Sequence, residues 1–185
     1  MERINLELFY FINNAAGHNR LWDQAAIFLS RYLPLFLILF IVWGLIKGKE
    51  PYRRILIGGC VSIGVGIGMN ILISLFFFHP RPFALRVGKT LLYHAANTSF
   101  PSRHTTFMMS FSLFLCYFRY TYRRGLILLA LSLLCGLLRV YCGVHFPWDI
   151  VGSFLVSLVA SLGVFIFFYN SAERKKSGRN KVSEK

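Results

Sequence analysis

Residues 55–78 read Ile55-Leu-Ile-Gly-Gly-Cys-Val-Ser-Ile-Gly-Val-Gly-Ile-Gly-Met-Asn-Ile-Leu-Ile-Ser-Leu-Phe-Phe-Phe78, a run of 24 residues without a charge. A helix rises about 1.5 Å per residue and the hydrocarbon core is about 30 Å thick, so such a run is long enough to cross a bilayer. The stretch predicts a membrane span and makes the chain an integral membrane protein. It also carries Gly58, Gly59, Gly64, Gly66 and Gly68, with Gly64 and Gly68 in a GxxxG arrangement. A phosphate-cradling glycine loop needs a strand-to-helix turn. These glycines lie within continuous apolar sequence and predict close helix packing instead.

Working outward, residues 22–46 form an earlier span, and residues 105–118, 125–143 and 150–169 three later ones. Residues 1–20 mix Ile4, Leu6, Leu8, Phe9, Phe11 and Ile12 with polar residues, a pattern for a short helix lying in the interface rather than crossing it. The predicted fold is an all-α membrane bundle of about five transmembrane helices plus an N-terminal interfacial helix. Residues 1–169 make one domain, and residues 170–185 a basic, disordered cytoplasmic tail. At 56% hydrophobic and 17% aromatic, 185 residues do not suit a soluble core. The charge of +14 could mean nucleic acid, but the cations sit in short loops and at the C-terminus rather than in a contact stripe. Cys60, Cys116, Cys135 and Cys142 lie in apolar segments without CxxC spacing and read as packing residues. The N-terminus lacks the pattern of a signal peptide.

Charge sets the predicted topology. Loop 47–54, turn 119–124 and the tail hold thirteen of the 21 Lys and Arg residues, and all three fall on one side of the bundle. That side is expected to be cytoplasmic. Loop 79–104 and the stretch from Arg139 to Asp149 then face outward.

Three clusters meet on that outward face: His79-Pro80-Arg81-Pro82, Pro101-Ser102-Arg103-His104, and Arg139 through His145 to Asp149. If Pro147 opens a helix, His145 and Asp149 fall four residues apart on one face, and the carboxylate can orient the imidazole. Arg139 ends the preceding apolar run and can extend its guanidinium toward the interface, leaving room for an anion between it and His145. One or two such groups near helix ends are ordinary anchors, whereas three clusters on one side point to a site. A shared zinc among His79, His94, His104, His145 and Asp149 lacks any HxxxH or HExxH spacing. A dinuclear phosphatase wants several carboxylates, and only Asp149 of seven acidic residues lies in a cluster. No metal and no cofactor is expected. A transporter would place polar residues at midplane depth in several spans, and the strongly polar groups here gather at one interface.

These clusters resemble the phosphatidic-acid-phosphatase type 2 superfamily, whose motifs are Lys-x6-Arg-Pro, Pro-Ser-Gly-His and Ser-Arg-x5-His-x3-Asp. Their order, the Arg-x5-His-x3-Asp spacing and their placement between spans all match. The context around Arg81 and from His94 to Thr106 is similar, more narrowly, to bacterial undecaprenyl-diphosphate phosphatases. The resemblance implies that His145 is the nucleophile, Asp149 its orienting partner and His104 the acid for the leaving group. It implies that Arg81, Ser102 and Arg139 bind phosphoryl oxygens, with Pro82 and Pro101 as the motif prolines beside them. The implied activity is metal-independent removal of phosphate from a polyprenyl diphosphate at the outer face of a bacterial inner membrane. Partners are then the lipid substrate and membrane lipids, with no nucleic acid, and the oligomeric state is left open. A broader lipid phosphatase is the alternative within this class.

Three positions depart from the motifs. Ser74 stands for the first Lys, Arg103 for the Gly, and Leu138 for the Ser. The missing lysine predicts a cation from another direction, with Arg103 nearest in sequence and Arg86 and Lys89 behind it. His94 is expected to be a substrate or supporting contact, and His79 to cap the end of a span.

Overall fold

A computed structural model describes residues 2–92, 95 and 97–183, with side chains described through residue 170. Six helices account for the regular structure among them: α1 (Glu2–Asn13), α2 (Arg20–Lys47), α3 (Tyr52–Phe76), α4 (Arg103–Cys116), α5 (Tyr122–Tyr141) and α6 (Pro147–Ser183). Asn19 starts α2 by accepting hydrogen bonds from the Leu21 and Trp22 amides at 2.9 and 3.3 Å. This satisfies donors that a helix N-terminus leaves open. From α2 onward the helices run up and down. The chain therefore has a motif end, where α3 and α5 finish and α4 and α6 begin, and a basic end carrying loops 48–51 and 117–121.

Among the described residues, four helices are long and apolar enough to cross a membrane: α2, α3, α5 and α6 from Pro147 to Asn170. The fifth expected span, α4, has 14 residues and reaches only about 21 Å. It is short because its N-terminus lies in the site, with Pro101 and Ser102 both buried. Its body is enclosed by the bundle, Thr105, Thr106 and Met108 through Leu115 all being buried. The segment expected to be a disordered tail continues α6 as helix to Ser183, as its Ala, Glu, Arg and Lys content permits.

Close packing of α3 on α4 comes from a subset of its glycines. A Cβ on Gly59 would lie 2.7 Å from the Phe111 ring, one on Gly58 would meet Phe114, and one on Gly66 would meet Ser110. Gly64 and Gly68, the GxxxG pair, have nothing within 4 Å. The sequence expectation is corrected here: the face that packs is Gly59, Ser62, Gly66 and Asn70, spaced three and four apart.

Hydroxyls stitch the interior. Ser62 donates to the Ser110 carbonyl at 2.9 Å, Ser110 to Ser157 at 3.1 Å, and Ser157 to the Thr106 carbonyl at 3.2 Å. Ser112 and Ser132 are 3.2 Å apart, linking α4 to α5. Away from water each hydroxyl must find an internal partner, and these do.

Helix α1 is clipped onto the motif end. Phe9 is fully buried against Phe146, with ring centroids 5.2 Å apart. Asn13 donates to the Lys89 and Tyr141 carbonyls, both at 2.8 Å, and accepts from the Lys89 amide at 2.7 Å. Its other side exposes Ile4, Leu8 and Phe11.

Candidate active site

The turn from α5 to α6 places the central histidine. Gly143 takes a left-handed φ of 74°, a conformation that glycine adopts without strain, and a Cβ there would run into the Lys89 carbonyl. Pro147 then opens α6, where a missing N–H costs nothing. Asp149 falls in its first turn and reaches back, so that the Phe146 amide donates to Oδ2 at 2.7 Å. This is half of a capping box, with the carboxylate closing the helix start. The same Oδ2 lies 3.2 Å from His145 Nδ1, four residues earlier. One carboxylate thus terminates a helix and orients a ring.

Ser99 completes the arrangement. Its hydroxyl donates to Asp149 Oδ2 in a short hydrogen bond and lies 3.2 Å from His145 Nδ1. On the opposite side of the ring, Arg81 Nη1 donates to the Val144 carbonyl at 3.0 Å and lies 3.2 Å from His145 Nε2. An arginine can only donate. Nε2 therefore presents its lone pair, and the single ring proton sits on Nδ1, facing the carboxylate. The Arg81 fork is held by Asn97, whose Oδ1 accepts from Nε at 3.1 Å and from Nη2 at 2.8 Å.

Burial sets the charges. His145 is 2% exposed, and desolvation pulls its imidazole down to about 4 despite the opposing pull of Asp149. It is neutral near pH 7 and keeps a nucleophilic Nε2. Desolvation, aided by the charge of Arg139, lowers Arg81 to about 10, still cationic. Arg139 is 3% exposed, and its Nε has no hydrogen-bond partner among the described residues. A neutral imidazole beside the buried Arg81 guanidinium can receive an oxyanion and attack its central atom.

Of the residues singled out from sequence, Arg81 and Asp149 each touch His145 directly, and Arg139 acts on Arg81 and His145 through its charge. Ser102 is buried at the N-cap of α4, and its side chain caps no helix N–H. Its carbonyl accepts from Ser153 at 3.1 Å, tying the start of α4 to α6. His104 stands half-buried on the first turn of α4, and Arg103 beside it is exposed, near enough to Arg81 to act on its charge. The prolines are framework: the Pro101 carbonyl accepts from Asn70 at 3.1 Å, and Pro82 is buried in the turn after Arg81.

Of the cations expected to replace the missing lysine, Lys89 and Arg86 are placed otherwise. Lys89 Nζ donates to the Ala16 carbonyl at 2.7 Å and lies 3.1 Å from His18 Nε2, so its ammonium is held by the α1–α2 loop. Arg86 is an exposed turn residue with φ 56°. Ser74 donates to the Asn70 carbonyl of its own helix at 2.8 Å. His94 lies outside the described residues.

Sequence reasoning missed Ser99 and Asn97 and undervalued His79. The missed pair flank the second cluster in the run Asn97-Thr-Ser-Phe-Pro-Ser102, and their proximity to that cluster was the available signal. His79 does more than end α3. Its Nδ1 lies 3.4 Å from Asp149 Oδ1.

The family described as the PAP2 superfamily matches residues 55–173. Undecaprenyl-diphosphatase BcrC of Bacillus subtilis (strain 168) is 35% identical over 167 residues, 89% of this chain and 83% of that protein. Putative undecaprenyl-diphosphatase YbjG of Escherichia coli (strain K12) is 35% identical over 173 residues, 91% and 84% of the two chains. Among solved structures, the crystal structure of Aquifex aeolicus LpxE superposes with a TM-score of 0.73 at 26% identity, covering 87% of this chain and 94% of that one.

Proposed function

The chain belongs to the PAP2 superfamily and is a multi-pass membrane hydrolase of phosphate esters or anhydrides; from that premise we propose that it is an undecaprenyl-diphosphate phosphatase working through a phosphohistidine. The carrying observation is the His145 ring, with Nδ1 held by Asp149 and the Nε2 lone pair facing the buried Arg81 guanidinium. Nε2 attacks the terminal phosphorus, forming an N–P bond as the bridging P–O bond breaks. The departing lipid monophosphate takes a proton from His104. Water, losing its proton to His104, then attacks the phosphorus, releases phosphate and returns His145 to its neutral form. Arg81, Arg139 and the first-turn N–H groups of α4 stabilise charge on the equatorial oxygens, which is most of what phosphoryl transfer requires.

The names of the two relatives at 35% identity support a polyprenyl diphosphate as substrate. The basic loops at the end opposite the site favour an orientation with His145 on the outer face of the inner membrane. There the reaction returns the lipid carrier to wall synthesis. Phosphate release by purified protein is the test, run with EDTA on undecaprenyl diphosphate, phosphatidic acid, phosphatidylglycerol phosphate and lipid A. The diphosphate is expected to turn over fastest and EDTA to leave the rate unchanged. Chelator-sensitive turnover restored by Zn or Mg would overturn the mechanism, and preference for a monoester would overturn the substrate. For orientation, cysteine probes in loop 79–104 should react from outside and probes in turn 119–124 should not.

A further inference from the structure

Asp149 is fully buried, and its two oxygens are treated differently. Oδ2 receives the Phe146 amide and the Ser99 hydroxyl and faces His145 Nδ1. Oδ1 has no hydrogen bond among the described residues, and neither does Nδ1 of His79, 3.4 Å away. A buried carboxylate oxygen left without a donor is costly. Among the described residues, the group that faces it at 3.4 Å is this second imidazole, which is fixed from both sides. It stacks on Phe77 with centroids 6.3 Å apart and meets Phe146 edge-on at 5.3 Å. Its backbone is tied to the site loop as well, the carbonyl accepting from the Ser99 amide at 2.7 Å.

We propose that His79 is a positioning residue of the reaction: its protonated ring donates from Nδ1 to Asp149 Oδ1 and thereby fixes the carboxylate so that Oδ2 stays on His145. The inference rests on the reading of His145 as nucleophile. A carboxylate held at both oxygens cannot rotate, and an unrotated Oδ2 keeps the His145 proton on Nδ1 and the lone pair on Nε2. Charged groups facing His79 are Asp149 from α6 and Glu2 from α1, both acidic. Asp149 foremost raises the affinity of the ring for a proton, against partial desolvation. When the proton leaves, the ring loses its positive charge, so an Nδ1–H donating to Oδ1 becomes a weaker, neutral donor and the carboxylate is held less firmly.

The experiment measures kcat and KM for detergent-solubilised full-length wild type, His79→Ala and His79→Asn, on farnesyl diphosphate and on phosphatidic acid. Asparagine places an amide N–H close to where Nδ1 stands, without a titrating proton. His79→Ala is expected to lose about tenfold in kcat with KM within about twofold, and His79→Asn to recover to within about threefold of wild type. The ratio of wild-type to His79→Asn kcat should fall as pH rises through the neutral range, since only the wild type titrates at this position and any limb due to His104 cancels. A wild-type kcat in the Ala variant, an Asn variant as impaired as Ala, a loss confined to KM, or a pH-independent ratio would each overturn the proposal. Should His79→Ala fail to fold, by its thermal midpoint, the Asn ratio decides alone. Failure of wild type on both lipids would defeat the phosphatase reading and this one with it, whereas turnover of either substrate tests His79 separately.

Discussion

Two sets of buried polar groups occupy this bundle, and they are satisfied in opposite ways. The interior hydroxyls of Ser62, Ser110, Ser112, Ser132 and Ser157 are neutral and close on one another or on backbone carbonyls. At the motif end the groups are ionisable or strongly polar, and unpartnered atoms remain. Asn70 Oδ1, His79 Nδ1, Arg139 Nε and Asp149 Oδ1 are the buried side-chain atoms without a hydrogen bond among the described residues, and all four belong to that end. Polar atoms that pack are satisfied when the chain folds, whereas a site can hold some back for what it binds.

Substitutions can break that comparison, and the largest effect belongs to the proposed nucleophile. His145→Ala is expected to reduce phosphate release to background, a loss on the order of 10⁴-fold or more, measured by single-turnover assay. Background rates in a cleanly folded His104→Ala variant but near-normal rates in His145→Ala would reverse the assigned roles. Next comes the cation that stands where the motif has glycine. Arg103→Gly should slow diphosphate turnover by about 10 to 100-fold, the effect of one charged hydrogen bond, and adding Ser74→Lys should recover part of it. An unchanged rate would make Arg103 a surface charge. Ser99→Ala leaves Asp149 Oδ2 with the Phe146 amide and His145, so a drop of about tenfold in kcat is expected with little change in KM. At the small end, Ser157→Ala should leave kcat within about twofold and lower stability by about 1 kcal/mol, read from denaturation in detergent. Loss of activity in that variant at full stability would erase the distinction between the two sets.

Much of this was legible because it is local. Uncharged runs mark spans, and the four-residue step from His145 to Asp149, with Pro147 between, foretells their contact, although His145 lies just before α6 and Asp149 reaches back to it rather than sharing a helix face with it. The small stripe Gly59, Ser62, Gly66 and Asn70 was equally legible as a packing face but was obscured by the more familiar GxxxG pattern. What escaped depends on long-range folding of the loop after α3. The bond from the Ser99 amide to the His79 carbonyl spans 20 residues, and no local spacing announces that it brings both residues onto Asp149. Lys89 escaped for a related reason: a long flexible cation goes wherever a carbonyl is open, here to Ala16, in a part of the chain 73 residues away.

The enclosure of α4 has a mechanical consequence. A helix in contact with lipid must match its apolar length to the local bilayer, tilting when the two differ. Helix α4 is walled off by α3, α5 and α6 and has almost no such length to match, so membrane thickness acts on Ser102, Arg103 and His104 only through those neighbours. The turn proposed to bind phosphate is thereby mounted on a buried strut that does not register the depth of the membrane around it.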